Sequence, residues 1–111
     1  MIVRYNNKKI CEAKLCDDIF TRSLGLMFSK PKAAVLKANR ESIPASSIHT
    51  FFMRFPIDVI WLNKNMEVVD AKNDVKPYKF LIAPKKKAMY TIEIPANGLR
   101  IPIRKKLEFS F

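Results

Sequence analysis

The residues of this chain that could do chemistry crowd into one stretch, Ile48 to Asn63, which reads Ile-His-Thr-Phe-Phe-Met-Arg-Phe-Pro-Ile-Asp-Val-Ile-Trp-Leu-Asn. It holds the only histidine, His49, and the only tryptophan, Trp61, with Asp58 enclosed by apolar residues and Ser46 and Ser47 just upstream. These residue types could build a Ser-His-Asp site, in which the imidazole takes the serine proton and the carboxylate orients the imidazole. A Cys-His pair from Cys16 and His49 would need a thiolate, and only a helix start lies near the thiol to activate it. Both arrangements require convergence in space, which sequence spacing does not supply. A hydrolase-like enzyme using His49 and Asp58 is therefore the alternative reading, not the leading one.

Other chemistries find less support. One histidine and two cysteines match no zinc spacing, and the acidic residues are too scattered for the clustered oxygens that calcium needs. With Gly25 and Gly98 as the only glycines, a glycine-rich phosphate loop is excluded. No metal or cofactor is expected.

The elements that must position these residues are mostly short strands. Val3 and Tyr5 alternate with Ile2 and Arg4, Asn6-Asn7 tolerates positive φ, and Cys11, Ala13 and Leu15 alternate with Glu12 and Lys14, which predicts a β-hairpin with one buried face. Asp17 is a good N-cap, and Phe20, Leu24, Met27 and Phe28 share one helical face, so a short helix is expected near residues 17–25. Ala33 to Ala38 reads as a strand and Asn39 to Ser47 as a loop. In the central stretch, strand alternation puts His49, Phe51 and Met53 on one face, with Pro56 marking a bend. Beyond it, Ile57, Val59 and Trp61 share one face and Asp58, Ile60 and Leu62 the other, a pattern for a strand buried on both sides. Asp58 must then meet Arg54, a backbone amide or a proton, because an isolated buried charge is costly.

Asn63-Lys64-Asn65 makes a second turn, and Met66 to Ala71 the returning strand. Lys72 to Lys87 reads as an irregular loop with a small apolar knot at Phe80, Leu81 and Ile82. Met89 to Ile94 alternates again, Pro95-Ala96-Asn97-Gly98 is a turn, and Ile101 to Ile103 and Leu107 to Phe111 are the last strands. The expected fold is mainly β, a compact antiparallel β-sandwich of jelly-roll character or a partly closed barrel, with one short helix.

At 111 residues the chain fits one domain, 1–111, able to bury roughly two thirds of its unfolded surface. Cys11 and Cys16 are five positions apart, about 16 Å in an extended strand and beyond the ~7 Å that a disulfide can bridge. No apolar run approaches the length of a signal peptide core or a membrane span. A soluble, cytoplasmic monomer is expected, or the mature part of an exported protein. The formal net charge is +11, and from Ala71 onward ten Lys or Arg stand against Asp74, Glu93 and Glu108. Such a balance favours polyanionic partners or else a lysine-rich solvated surface. Lys85, Lys86 and Lys87, with Arg104, Lys105 and Lys106, form a candidate basic patch, and Tyr78 and Tyr90 could supply stacking rings for nonspecific nucleic-acid binding or pack at the core edge.

The run His49-Thr50-Phe51-Phe52-Met53-Arg54-Phe55-Pro56-Ile57-Asp58-Val59-Ile60 closely resembles the signature of domain-of-unknown-function family 192, small archaeal and bacterial proteins. Arg22 with Gly25-Leu26-Met27, Val68-Val69, and Tyr90-Thr91-Ile92-Glu93-Ile94-Pro95-Ala96 resemble further pieces of that family in the same order. The resemblance implies a compact, mainly β fold with one short helix and no established reaction. This chain departs from the family pattern at Asn97-Gly98, where the family tends to have glycine directly after Pro-Ala, and at Arg104-Lys105-Lys106, where the family has a Gly-Asp turn. The leading expectation is a non-enzymatic binding module for an anionic or glycan-type ligand, its pocket bordered by Arg22, His49, Met53, Arg54 and Asp58.

Overall fold

A computed structural model describes residues 1–16, 31–50 and 53–110. The chain forms β1 (Ile2–Tyr5), β2 (Lys8–Cys16), β3 (Ala33–Ser42), a single-turn helix α1 (Ile43–Ser46), β4 (Ile57–Leu62), β5 (Val68–Val75), β6 (Ala88–Pro95) and β7 (Glu108–Ser110). The seven strands make one sheet in the order β5-β4-β6-β3-β2-β1-β7. The expected helix at 17–25 lies outside the described residues.

The β1–β2 hairpin closes where expected, with Tyr5 paired to Lys8 and both asparagines of the turn left-handed, Asn6 at φ 51° and Asn7 at φ 63°. Two left-handed residues define the turn whose twist matches that of flanking strands, and asparagine adopts them at low cost. β2 then leaves β1 and pairs in parallel with β3, Ala13 opposite Ala33 through Cys16 opposite Leu36. Every other strand pair is antiparallel.

The sheet curls into a half-barrel. Its two edges are β5 and β7, and the segment leading into β7 reaches across to β5. Arg104 N–H donates to the Val68 carbonyl (2.7 Å), Val68 N–H to that of Lys105 (2.9 Å), and Leu107 N–H to that of Met66 (3.0 Å). β7 itself lies beside β1, with Ile2 opposite Ser110. Residues 104–110 thus draw the two edges together, which covers strand amides that would otherwise invite pairing with other chains.

Apolar clusters line both faces of the sheet. On one face, called inner below, lie Val3, Val35, Ile60, Leu62, Val68, Ile92, Ile94 and Leu107. On the other, called outer, lie Cys16, Ala34, Ile57, Val59, Trp61 and Ala88, packed with Ile48, Met53, Phe55 and Ile82. β4 contributes to both, and all six of its residues are buried as the apolar run predicts. Burying a large aliphatic or aromatic side chain stabilises by about 1.5–3 kcal/mol, so this one strand anchors both layers. Cys11 and Cys16 are not joined in a disulfide.

Four expectations about element boundaries are corrected. Residues 39–42 continue β3, because β6 extends the ladder past an irregularity and pairs Ala88 with Ser42. Residues 43–46 are helical. Ser42 caps them by accepting from Ala45 N–H (3.0 Å), and Pro44 sits in the first turn, where a missing amide donor costs nothing. Residues 53–56 are not strand, and neither are 49–50, since the backbone groups of Ile48 and Thr50 bond to Ile82, Tyr78 and Lys79 instead of to a ladder. β5 runs on to Val75, with Val75 opposite Ile57 and Lys72 opposite Val59. Residues 101–103, expected as strand, lie outside any ladder.

Candidate functional site

Asp58 is the most conspicuous polar residue of the central stretch, and the fold accounts for both of its oxygens. Between the Ile57–Val75 and Val59–Lys72 pairs, β5 carries one residue more than β4, a β-bulge. Asp74 within it is left-handed, at φ 53°. Its amide, displaced from the ladder, donates to Asp58 Oδ1 (2.9 Å), and the Asn97 amide of the turn after β6 donates to Oδ2 (3.1 Å). Burial pushes this carboxyl up, but the amides of Asp74, Asn97 and Gly98 and the side chain of Asn73 together outweigh it, leaving the pKa below the usual aspartate value. Asp58 is a charged staple joining β5 to the β6 turn.

The other residues expected at the pocket scatter around it. Pairing with Ile94 places Asp58 on the inner face, whereas the segment carrying His49 packs over the outer face through Ile48, Met53 and Phe55. The sheet lies between them. Met53 is buried in the outer cluster, His49 is half-buried, and Arg54 is exposed. Arg22 lies outside the described residues. Ser46 and Ser47 serve α1: their hydroxyls donate to the carbonyls of Ser42 (2.6 Å) and Ile43 (2.8 Å). The Ser46 carbonyl in turn accepts from Trp61 Nε1–H (2.8 Å) and Thr91 Oγ1–H (3.1 Å), tying α1 to β4 and β6. Among the described residues, no group of three or more His, Cys, Asp and Glu is placed to hold a metal ion.

Two residues that the sequence did not single out carry more structural weight. Glu93 is buried on the outer face, its backbone opposite Ala34 and Val59. Burial raises its pKa to about 8, so it holds a proton at neutral pH. Thr50, also buried, fastens the loop after β5. Its Oγ1–H donates to the Lys76 carbonyl (2.8 Å), and Oγ1 accepts from Lys79 N–H (2.8 Å). Its backbone carbonyl accepts from Tyr78 N–H (2.8 Å), and its own N–H donates to the Lys79 carbonyl (3.0 Å). Ile48 and Ile82 exchange two further backbone hydrogen bonds.

That fastening builds an open groove of about 530 Å³ along the outer end of β5, lined by Lys72, Asn73, Asp74, Lys76, Lys79 and Leu81 among others. Its one carboxylate, Asp74, is paired with Lys76 Nζ at 2.8 Å, and both side chains are well exposed. Both basic clusters anchor to the same strand. Lys85 N–H donates to Asp70 Oδ2 (2.9 Å), and Arg104 and Lys105 bond to Val68. Lys85, Lys86, Lys87, Arg104, Lys105 and Lys106 are all exposed. Of the two tyrosines, Tyr90 packs edge-on against Phe109 with centroids 5.4 Å apart, and Tyr78 is exposed.

These features define a small half-barrel protein with a lysine-lined groove at one sheet edge. By sequence the chain belongs to the family DUF192, described as uncharacterized ACR, COG1430, whose model matches residues 1–104. It is 38% identical over 103 residues to a UPF0127 protein of Pyrococcus furiosus, covering 89% of this chain and 87% of the relative. It is 44% identical over 94 residues to one of Pyrococcus horikoshii, covering 84% and 79%. Among solved structures, a protein of unknown function from Novosphingobium aromaticivorans superposes with a TM-score of 0.83 at 17% identity, over 97% of this chain and 82% of that one. A chain described as a candidate transcription regulator from Sinorhizobium meliloti gives 0.81 at 14% identity, over 96% and 89%. At these identities the two structures share the fold alone. No helix among the described residues is long and apolar enough to cross a membrane.

Proposed function

We propose that this protein is a non-enzymatic binding module that captures an anionic ligand on the β5 flank. The observation that carries the reading is the groove itself, where Lys72, Lys76 and Lys79 face solvent and the single carboxylate, Asp74, is neutralised by Lys76. The Lys85–Lys87 and Arg104–Lys106 clusters extend the same positive field, and the net charge of +11 gives attraction at long range. Surface lysines stay hydrated and mobile, which suits a ligand held by charge more than one read by shape. The groove supports this reading better than a pocket bordered by Arg22, His49, Met53, Arg54 and Asp58, because Met53 packs in the core and Asp58 holds two amides. The lysines also favour an anion over a neutral glycan.

The test is binding of heparin, a soluble polyanion, across a salt series. Affinity should fall steeply with salt, and replacing Lys72, Lys76 and Lys79 by glutamine should reduce the log–log slope by about 2. Failure of heparin to bind at low salt would end this reading.

A further inference from the structure

The loop that walls the groove carries a feature that charge alone does not explain. Tyr78, Phe80 and Leu81 are 63%, 78% and 67% exposed, whereas the other large exposed apolar residues among the described residues, Ile43 and Ile103, stand singly. Three neighbouring large apolar side chains at one tip make an exposed patch of the kind that marks an interaction surface. The tip is also held firmly. Thr50 grips its base through four hydrogen bonds, and the Ile48–Ile82 bridge closes it. Tyr78 is left-handed at φ 65°, a conformation unfavourable for a bulky residue that the surrounding bonds sustain.

Around the tip positive charge prevails, and the nearby Asp74 carboxylate is paired with Lys76. Between Val75 and Ile92 the chain has five lysines, Lys76, Lys79, Lys85, Lys86 and Lys87, and no Asp or Glu. All five are exposed. An apolar tip ringed by cations matches the two layers of an anionic bilayer surface, acyl chains below and negative headgroups above. Lysine stems can lie along apolar surface while the ammonium groups stay at headgroup level, and tyrosine suits the same boundary. Single-stranded nucleic acid would use the rings of Tyr78 and Phe80 but gains nothing from Leu81, since base stacking needs a π face.

We propose that this loop is a membrane-surface docking tip. Phe80 and Leu81 enter the acyl boundary of an anionic bilayer, Tyr78 lies at headgroup level, and the five lysines contact anionic headgroups. The assignment rests on the reading of this flank as anion-binding and names the anionic surface.

The experiment is flotation of the full-length protein with phosphatidylcholine vesicles, with and without phosphatidylserine, run beside heparin binding. Wild type should float with the phosphatidylserine vesicles only. The variant Phe80→Ser, altered at one exposed side chain that does not line the groove, should keep the wild-type circular-dichroism spectrum and lose about tenfold or more of that partitioning while binding heparin as before. The triple variant Lys85→Gln/Lys86→Gln/Lys87→Gln should lose vesicle binding as well. No flotation with phosphatidylserine vesicles, or equal flotation of the serine variant, overturns the docking tip. If heparin still binds in that case, the anion-binding reading stands alone, and if it does not, both fall. A single-stranded oligonucleotide whose affinity drops with Phe80→Ser, without vesicle binding, replaces the bilayer by a base-stacking platform.

Discussion

Thr50→Val tests the architecture of the groove at one atom. Valine keeps the volume and β-branching of threonine and leaves the backbone hydrogen bonds of residue 50 intact, but it removes the hydroxyl that donates to the Lys76 carbonyl and accepts from Lys79 N–H, each at 2.8 Å. A hydrogen bond of this kind contributes about 1 kcal/mol net, and orphaned partners cost more when buried. Lys76 and Lys79 are exposed, so water can reach the abandoned groups, and the expected loss is about 2 kcal/mol. In a domain of this size that lowers Tm by about 8 °C. Thermal unfolding followed by the fluorescence of Trp61, the only tryptophan, measures it, because that side chain is fully buried in the native state. Hydrogen exchange localises it: the amides of Tyr78 and Ile82 should lose protection by about 30-fold, the equivalent of 2 kcal/mol. Thr50→Ser, which keeps the hydroxyl, should lose much less. A Tm within 1–2 °C of wild type (about 0.3 kcal/mol), with unchanged protection at those two amides, would refute the role given to Thr50.

Three further outcomes follow from buried polar groups. Glu93 has a folded pKa near 8 against an ordinary 4.5, so its contribution is fully present below pH 4.5 and is lost as pH rises toward 8, with a slope of up to about 1.4 kcal/mol per pH unit. Urea unfolding should show wild type less stable at pH 8 than at pH 5, and Glu93→Gln should flatten that difference. Asp58 runs the other way: its lowered pKa stabilises the fold above the ordinary aspartate value of 3.8, and this is lost as pH falls through the folded value. Asp58→Asn should destabilise by about 2–3 kcal/mol at neutral pH, since an amide NH₂ would face a backbone donor, and should weaken the acid limb of the pH–stability curve. Trp61→Phe removes the indole donor from the Ser46 carbonyl, but Thr91 still donates there, so chemical unfolding should report a modest loss of about 1–2 kcal/mol, mostly packing.

The local rules of the sequence were readable and the long-range ones less so. Asn6-Asn7 and Asn63-Lys64-Asn65 mark real hairpin turns because positive φ and side-chain caps are local chemistry. Asn63 Oδ1, for instance, accepts from the amides of Asn65 (2.9 Å) and Glu67 (3.0 Å). The run Ile57 to Leu62 announced a strand buried on both faces, since apolar residues at both parities admit few other solutions. The direction of β3 against β2 was not legible, because alternation is the same in parallel and antiparallel pairs. Residues 48 to 56 have strand composition, yet Thr50 bonds to the loop after β5, a partner 26 to 29 residues away that no local pattern announces. Asp58 was recognisable as needing a partner. That the partners are two amides, one freed by a bulge in β5, depended on a register shift that composition does not encode. Glu93 passed as one polar residue in an alternating strand, and only the layer packed over that face makes it buried.

The position of β6 governs how the molecule comes into being. β3 and β4 are not neighbours in the sheet; β6 lies between them and bonds to both. During synthesis the β1–β2 and β4–β5 hairpins can form as soon as they leave the ribosome, but they remain unconnected halves until residues 88–95 emerge and slot between β3 and β4. Such sequence-distant pairing slows folding and leaves open strand edges in the meantime. A nascent chain stalled before Ala88 should therefore be a substrate for chaperones and proteases.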